Sequence, residues 1–219
     1  MNCIVTAGPT FEPLDDVRRL TNFSTGKLGT ELANFLTARG HNVTLLIGET
    51  ATYKGERKAQ SVKTFSTTAD LRAKLKSLAN QRSKKVDAIF HAAAVSDFAF
   101  GQIFVEKSDD KFVALKSSKK TSTRAGNLLV ELLPTPKIIA ELRGWFPKTK
   151  IIGWKFEADG NRADAIRAAR NQIADCSTDF CVANGPAYGK GFGLVNVGNQ
   201  THFSNSTTLF LALEKLLAA

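Results

Sequence analysis

Residues 3–47 read CIVTAGPTFEPLDDVRRLTNFSTGKLGTELANFLTARGHNVTLLI. Cys3 to Ala7 is an apolar strand, ended by the turn Gly8-Pro9-Thr10. Leu28, Leu32, Ala33, Phe35 and Leu36 then recur at helical spacing. Arg39-Gly40 ends that helix with a cation and a C′ glycine. Val43 to Ile47 is a second buried strand. A strand, a helix and a strand in this order imply parallel pairing through a right-handed crossover.

The same alternation continues outward. Leu71, Leu75 and Leu78 mark a helix, and Asp87 to Ala94 reads as a third strand, apolar on both faces. Residues 99–125 are basic and poorly periodic; they read as a mobile segment with room for a hairpin. Leu128 to Leu133 is extended. Pro136 sits where a helix would start, with Thr135 as its N-cap, and Ile138, Ile139 and Leu142 follow on it. Ile151 to Phe156 is a strand, Ala163 to Ala174 a helix, Asp179 to Ala183 a strand, and Thr207 to Leu217 a closing amphipathic helix. The fold class is α/β: a Rossmann-like, open, mainly parallel sheet with helices on both faces. Ligands of such sheets bind beyond the carboxyl ends of the strands, which selects the loops after Ala7, Ile47, Ala94, Phe156 and Ala183.

A chain of 219 residues with 43% hydrophobic content is read as one domain able to bury a full core. Cys3, Cys176 and Cys181 form no C-x-x-C pattern and have no neighbouring His, so they read as free thiols rather than zinc ligands. No run of apolar residues is long enough for a membrane span, and Met1 to Val5 opens as a strand rather than a leader; a cytoplasmic protein is expected. The formal charge of +10 lies in stretches at 54–63, 72–85 and 107–124. They lack interleaved aromatics, so nucleic acid is a poor partner and anionic small molecules are better ones.

Ser24, Thr25 and Gly26 precede the first helix, with Ser24 a plausible N-cap, and free amides there favour an anion. Neither G-x-G-x-x-G nor G-x-x-x-x-G-K-[ST] occurs in this loop. A short-chain dehydrogenase needs a Tyr four residues before a Lys; here Tyr53 precedes Arg57 and Tyr188 precedes Phe192, so that rival lacks its catalytic pair.

Six motifs in order carry a family resemblance: residues 8–46 as quoted, then HAAAVSDF (91–98), LKSS (115–118), LLPTPKII (132–139), IIGWKFE (151–157) and DFCVANG (179–185). Together they resemble the phosphopantothenoylcysteine synthetases, found in many bacteria as the C-terminal half of a bifunctional flavoprotein and elsewhere free-standing. The resemblance covers nearly the whole chain and leaves out the flavin-dependent decarboxylase half, so no flavin is implied. It implies a ligase that joins 4′-phosphopantothenate to L-cysteine at the expense of CTP or ATP, with Mg2+ on the triphosphate. It also implies a homodimer, with a separate decarboxylase as a further possible partner.

Site residues follow from the same resemblance. Asn22 matches a residue contacting the phosphopantothenoyl group, its amide suiting a carbonyl oxygen; an Asx-turn is the structural alternative. Arg18 suits a phosphate, against an ion pair with Asp15. Ser24, Thr25 and Gly26 complete the acid site. Gly8, His91, Ala92, Ala93, Pro136, Lys137, Ile138, Ile139 and Trp154 match nucleotide-contacting positions, some of which could equally be packing. Asp97 suits a ribose hydroxyl or an exocyclic amine, against a helix cap. Lys116 resembles the mobile-loop lysine that helps convert the activated intermediate, with Lys107 the competing assignment.

The chain departs from the family where two lysines, four apart, grip the triphosphate: Gln172 and Cys176 stand there. Arg167, Arg170 or Lys155 are candidate replacements. That loss and the net charge motivate an alternative reading, a non-catalytic nucleotide or nucleic-acid binder that retains the fold.

Overall fold

The structure is a computed structural model and describes residues 1–81, 85–107, 111–115 and 126–218. Its elements in chain order are β1 (Asn2–Ala7), β2 (Phe11–Pro13), β3 (Arg19–Thr21), α1 (Lys27–Ala38), β4 (Asn42–Gly48), β5 (Ser61–Phe65), α2 (Thr68–Ala79) and β6 (Ala88–His91). There follow β7 (Phe98–Lys107), β8 (Lys111–Ala114), β9 (Leu128–Pro134), α3 (Ile138–Trp145), β10 (Lys150–Phe156), α4 (Arg162–Cys176), β11 (Phe180–Asn184), β12 (Phe192–Val195), β13 (Gln200–Phe203) and α5 (Ser206–Ala218).

Among the described residues an eight-stranded sheet runs β13-β12-β11-β10-β6-β1-β4-β5. From β11 to β5 every pairing is parallel, and β12 and β13 add an antiparallel edge. Read from β5, the parallel part has the strand order of dinucleotide-binding folds, reversing between β1 and β6. Leu32 and Leu36 of α1 and Leu209, Phe210 and Leu213 of α5 share one core with Val5, Leu45 and Phe90. Leu71 and Leu75 of α2 and Ile138 and Leu142 of α3 share another with Ile4, Leu46, Ile89 and Ile151. The helices therefore cover both faces, as expected. Each fully buried leucine in these cores contributes about 2 kcal/mol by removal from water.

Several local readings change. The third strand is shorter than Asp87 to Ala94, because the chain turns away after His91 to pair the loops described below. Of the segment 99–125, residues 108–110 and 116–125 lie outside the described residues; in the rest, β7 lies between β8 and β9 in an antiparallel sheet of its own, and β7 and β8 pair as the expected hairpin. The α3 helix starts at Ile138 with Lys137 as N-cap, not at Pro136, because the Thr135 hydroxyl donates to Ser96 O at 2.5 Å instead of capping. Ser24 is not the cap of α1; Gly26 is, with φ of 77°.

Candidate active site

The site is built where β1 and β6 end side by side. Their loops are laced: Pro9 bridges Ala94, Thr10 N donates to Ala94 O at 3.1 Å, and Ala94 N donates to Gly8 O at 3.0 Å. The Thr10 hydroxyl accepts from Ser96 N at 2.8 Å and meets the Thr68 hydroxyl at 3.2 Å. The buried Glu12 carboxylate accepts the first amide of α2, Thr68 N, at 3.0 Å, where the helix end favours a negative charge. The β2–β3 hairpin is thus clamped to α2, and its outgoing end delivers Asn22. Asn22 Nδ2 donates to Ala94 O at 3.3 Å and Val95 O at 3.2 Å. Both amide hydrogens are engaged within the chain, so the atom Asn22 presents is its acceptor oxygen, not the donor that the resemblance suggested.

Beside this seam lies a glycine crossing. Gly8 and Gly26 both have φ of 77°, and a Cβ on Gly26 would stand 2.9 Å from Ile47 Cδ1 and 3.0 Å from Ala51 Cβ. A Cβ on Gly29 would stand 2.6 Å from Ala7 Cβ, and one on Gly48 2.3 Å from Pro9 O. Gly8, Gly26 and Gly29 therefore let the first turn, the end of the loop and α1 pack closely, with residues 9–25 lying between the first two glycines. The Thr25 hydroxyl accepts Lys27 N at 3.2 Å, while Gly26 offers α1 no side-chain cap, so first-turn amides face the crevice edge.

His91 is buried on the sheet. Thr6 Oγ1 accepts Ala93 N at 3.1 Å and lies 3.0 Å from His91 Nδ1. Burial pushes the imidazole down from 6.5 to about 4, so the ring is neutral near pH 7. Ala92 and Ala93 are half-buried at the strand end. Asp97 is exposed; its backbone carbonyl accepts Thr135 N at 2.9 Å, and its carboxylate caps no helix and has no partner among the described residues. Pro136 and Lys137 are exposed, whereas Ile138 is 1% exposed and belongs to the core, and Ile139 is half-buried against the same core, its Cδ1 over Gly153.

Trp154 lies on the opposite face from His91, among the α1 and α5 side chains, and its Nε1–H is buried without a partner. Asn184 Oδ1 and Thr50 Oγ1 are likewise buried and unpartnered. They follow or end β11 and β4 at the carboxyl edge, and sequence reading assigned neither. Arg18 pairs with Asp15, its Nε 3.0 Å from Oδ2, at the tip of the β2–β3 hairpin.

Lys116 lies outside the described residues. Leu115 N bonds Ile103 O at 2.8 Å, halfway along β7, whereas Lys107 ends β7 opposite Lys111. At about 3.3 Å per residue Lys107 stands roughly 30 Å from Phe98, which removes it from its own Asp97. Gln172 Nε2 donates to Cys181 Sγ at 3.3 Å and Cys176 is buried. Arg167 pairs with Asp164 at 2.5 Å and Arg170 reaches Gln200 at 3.4 Å, so neither of these arginines points to the crevice. A cavity of about 210 Å³ opens at the opposite, amino edge of the sheet beside Asn2, Asn42 and Lys63, away from all of these residues.

The strand order, the laced loops at the reversal point and the glycine crossing define an α/β protein with a Rossmann-like sheet. The family described as DNA/pantothenate metabolism flavoprotein C-terminal domain matches residues 1–209, and the chain belongs to it. The Coenzyme A biosynthesis bifunctional protein CoaBC of Thermococcus kodakarensis is 34% identical over 182 residues, covering 83% of this chain and 40% of that protein. The chain thus spans about two fifths of that relative's length. The crystal structure of the DNA/pantothenate metabolism flavoprotein from Streptococcus pneumoniae matches with a TM-score of 0.83 at 24% identity, over 100% of this chain and 99% of that one. A Cab2 variant in complex with phosphopantothenate-cysteine matches with a TM-score of 0.73 at 20% identity, over 99% of this chain and 87% of that one.

Proposed function

We propose that the chain is a phosphopantothenate–cysteine ligase acting as a single domain. The observation that carries this reading is the convergence of Asn22 and Asp97 on the loops after β1 and β6, in a chain whose family serves coenzyme A biosynthesis in its relatives. A carboxylate is a poor acyl donor, because it is anionic and its oxygen leaves badly. In the proposed first step the carboxylate of 4′-phosphopantothenate attacks the α-phosphorus of CTP or ATP, forming an acyl-nucleotidylate and releasing pyrophosphate. The amine of L-cysteine then attacks the acyl carbon; the nucleoside monophosphate leaves and the nitrogen loses a proton.

Asn22 Oδ1 accepts an amide N–H of the acid, and the α1 N-terminus with Ser24, Thr25 and Gly26 takes its phosphate. Arg18 joins them by exchanging Asp15 for that phosphate. Asp97 accepts from the nucleotide, beside Gly8, Ala92, Ala93, Lys137 and Ile139. Lys116 assists collapse of the intermediate. Among the described residues no group of three or more His, Cys, Asp or Glu could hold a metal ion. Mg2+ therefore enters on phosphate oxygens and water.

The small sheet exposes Phe98, Phe112, Val113, Leu129, Leu132 and Leu133. An apolar surface of this kind suits a second copy of the chain, and the working form in this reading is a homodimer. No helix among the described residues is long and apolar enough to cross a membrane. The reading places the enzyme in the cytoplasm, with a separate decarboxylase acting on the cysteine conjugate as its further partner.

The test supplies 4′-phosphopantothenate, L-cysteine and either CTP or ATP. Pyrophosphate release dependent on the acid, and a product heavier by the cysteinyl residue, are expected. Absence of product with both nucleotides refutes the reading. Lys116→Gln should let the acyl-nucleotidylate accumulate; a variant that shows none removes the lysine from its role.

A further inference from the structure

Asp97 is held on both sides by one distant residue. Its side chain is exposed and its carboxylate has no partner among the described residues, so the backbone beneath it sets its direction. Two peptide groups flank its Cα. The one before it presents Ser96 O, which accepts the Thr135 hydroxyl at 2.5 Å. The one after it presents Asp97 O, which accepts Thr135 N at 2.9 Å. Each peptide group is a rigid plane, so pinning both fixes φ and ψ at Asp97 and with them the line of its Cα–Cβ bond.

Local sequence offers Thr135 a different use, as the cap of α3. The helix takes no side-chain cap, and the hydroxyl instead crosses to a residue 39 positions away. Thr135 is half-buried and β-branched, so its rotamer is restricted before the bond forms and little side-chain freedom is lost in making it.

The clasp is fastened to the core. Ser96 is 4% exposed; its N donates to Thr10 Oγ1 at 2.8 Å and its Oγ donates to Phe98 O at 2.7 Å. Thr10 is fully buried, and its carbonyl accepts the Thr21 hydroxyl at 3.0 Å, one residue before Asn22. Asn22 and Asp97 therefore both lead back to Thr10, and Thr135 secures only the Asp97 branch. The same clasp closes the root of the small sheet, where Phe98 of β7 pairs with Pro134 of β9. Loss of the hydroxyl leaves Ser96 O without that donor and frees the 96–97 peptide plane to turn.

We infer that Thr135 is the positioning residue of Asp97, acting through it to aim the carboxylate at the nucleotide. What Asp97 grips rests on the ligase reading; that Thr135 aims it rests on the two bonds. A carboxylate already pointed at its ligand loses less freedom on binding, so the effect of Thr135 falls on nucleotide affinity.

Calorimetric binding of CTP and of ATP, followed by steady-state kinetics, tests this with Thr135→Val, Thr135→Ser, Asp97→Ala and the variant combining Thr135→Val with Asp97→Ala. All are measured at a temperature where their melts show them folded. Thr135→Val keeps the shape and the backbone N–H and removes only the hydroxyl. It should weaken the nucleotide that the parent binds about tenfold and raise its KM to match, with kcat within about threefold and the KM of the acid within about twofold. Thr135→Ser, which restores the donor, should stay within about threefold of the parent. The double variant should bind no worse than Asp97→Ala alone, because a residue acting only through Asp97 has nothing left to aim; a merely structural role would give losses that multiply. Parent-like nucleotide binding in Thr135→Val, no rescue in Thr135→Ser, multiplying losses, or an equal rise in the KM of the acid overturns the inference. If these nucleotide effects appear but no cysteine conjugate forms, the positioning role stands and the ligase reading falls. If the conjugate forms while Thr135→Val behaves as the parent, the ligase reading stands and the positioning role falls. A parent that binds neither nucleotide overturns both.

Discussion

His91 couples stability to pH in a way the structure makes calculable. Burial lowers its folded-state pKa from 6.5 to about 4. Between these values the unfolded chain binds a proton that the folded chain refuses, so stability rises with pH through this window and is lost as pH falls from about 6.5 toward 4. Integration of that linkage gives about 2 kcal/mol lost between pH 7 and roughly pH 4.5 from this ring alone. His91→Asn keeps a polar group near the Nδ1 position beside the Thr6 hydroxyl but removes the titration. Asp87, Asp164 and Glu214 are held below the usual carboxylate range, chiefly by the amide of Asn2, the amide of Asn161 and the guanidinium of Arg39. Acid therefore weakens parent and variant alike, and only the difference between them reports His91. Urea unfolding at a series of pH values should show the variant less stable at pH 7 and the gap narrowing by about 2 kcal/mol near pH 4.5. Two curves that stay parallel across that window would refute a neutral, buried imidazole.

Gly26→Ala places a side chain at φ of 77° and 2.9 Å from Ile47 Cδ1. About 2–4 kcal/mol of destabilisation is expected from strain and contact together, read as a fall in melting temperature. Arg143 donates to Ser177 O at 3.0 Å, Thr149 O at 2.8 Å and Asp179 Oδ2 at 2.8 Å, tying α3 to the starts of β10 and β11. Arg143→Met should cost about 1–3 kcal/mol in urea unfolding by leaving those acceptors unpaired. Burial pushes the Cys3 and Cys181 thiols up to about 12. An aromatic disulfide reagent at pH 8 should modify them only as fast as the chain opens; rapid labelling of either would contradict the packing around it.

What could be read from the sequence was whatever one periodicity or one turn residue decides. The α1 helix, its Gly40 terminus, the β1 and β4 strands and the closing α5 helix all emerge from local patterns. The edge strands β12 and β13 escaped because their four-residue segments pair with each other and with β11, across loops of Gly and Asn that carry no apolar run. The β2–β3 hairpin escaped for the same reason, being three residues a side. Ser24 looked like a cap because it has a capping side chain, but the close approach at Gly26 selects the glycine instead. Of the site, the loops were foreseeable from the carboxyl-end rule, and the atoms within them were not. Which of Asn22's groups is available depends on Ala94 and Val95, more than seventy residues away. The unpartnered Nε1 of Trp154 and Oδ1 of Asn184 depend on neighbours that no spacing reveals.

The long first loop has a physical logic of its own. In a compact fingerprint the turn glycine and the helix glycines follow one another, and the only thing the turn can offer a ligand is backbone. Here Gly8 and Gly26 still touch, a Cβ at 26 lying 3.3 Å from Gly8 Cα, so the crossing is conserved in space while residues 9–25 are free to build something else. What they build is a hairpin held from the far side of the sheet by Glu12 on Thr68 N and Phe11 N on Ser66 O at 3.0 Å. The position of Asn22 is therefore set by the N-terminus of α2, not by the helix it precedes. Glu12→Gln weakens that anchor by removing a charge-assisted bond of about 1.5–3 kcal/mol at a buried site. If the reasoning holds, the substitution raises the KM for the phosphorylated acid more than that for the nucleotide, because only the acid is read by the hairpin's end. An equal rise in both would mean that the hairpin and the glycine crossing move as one body, and that the insertion has no separate role in choosing the substrate.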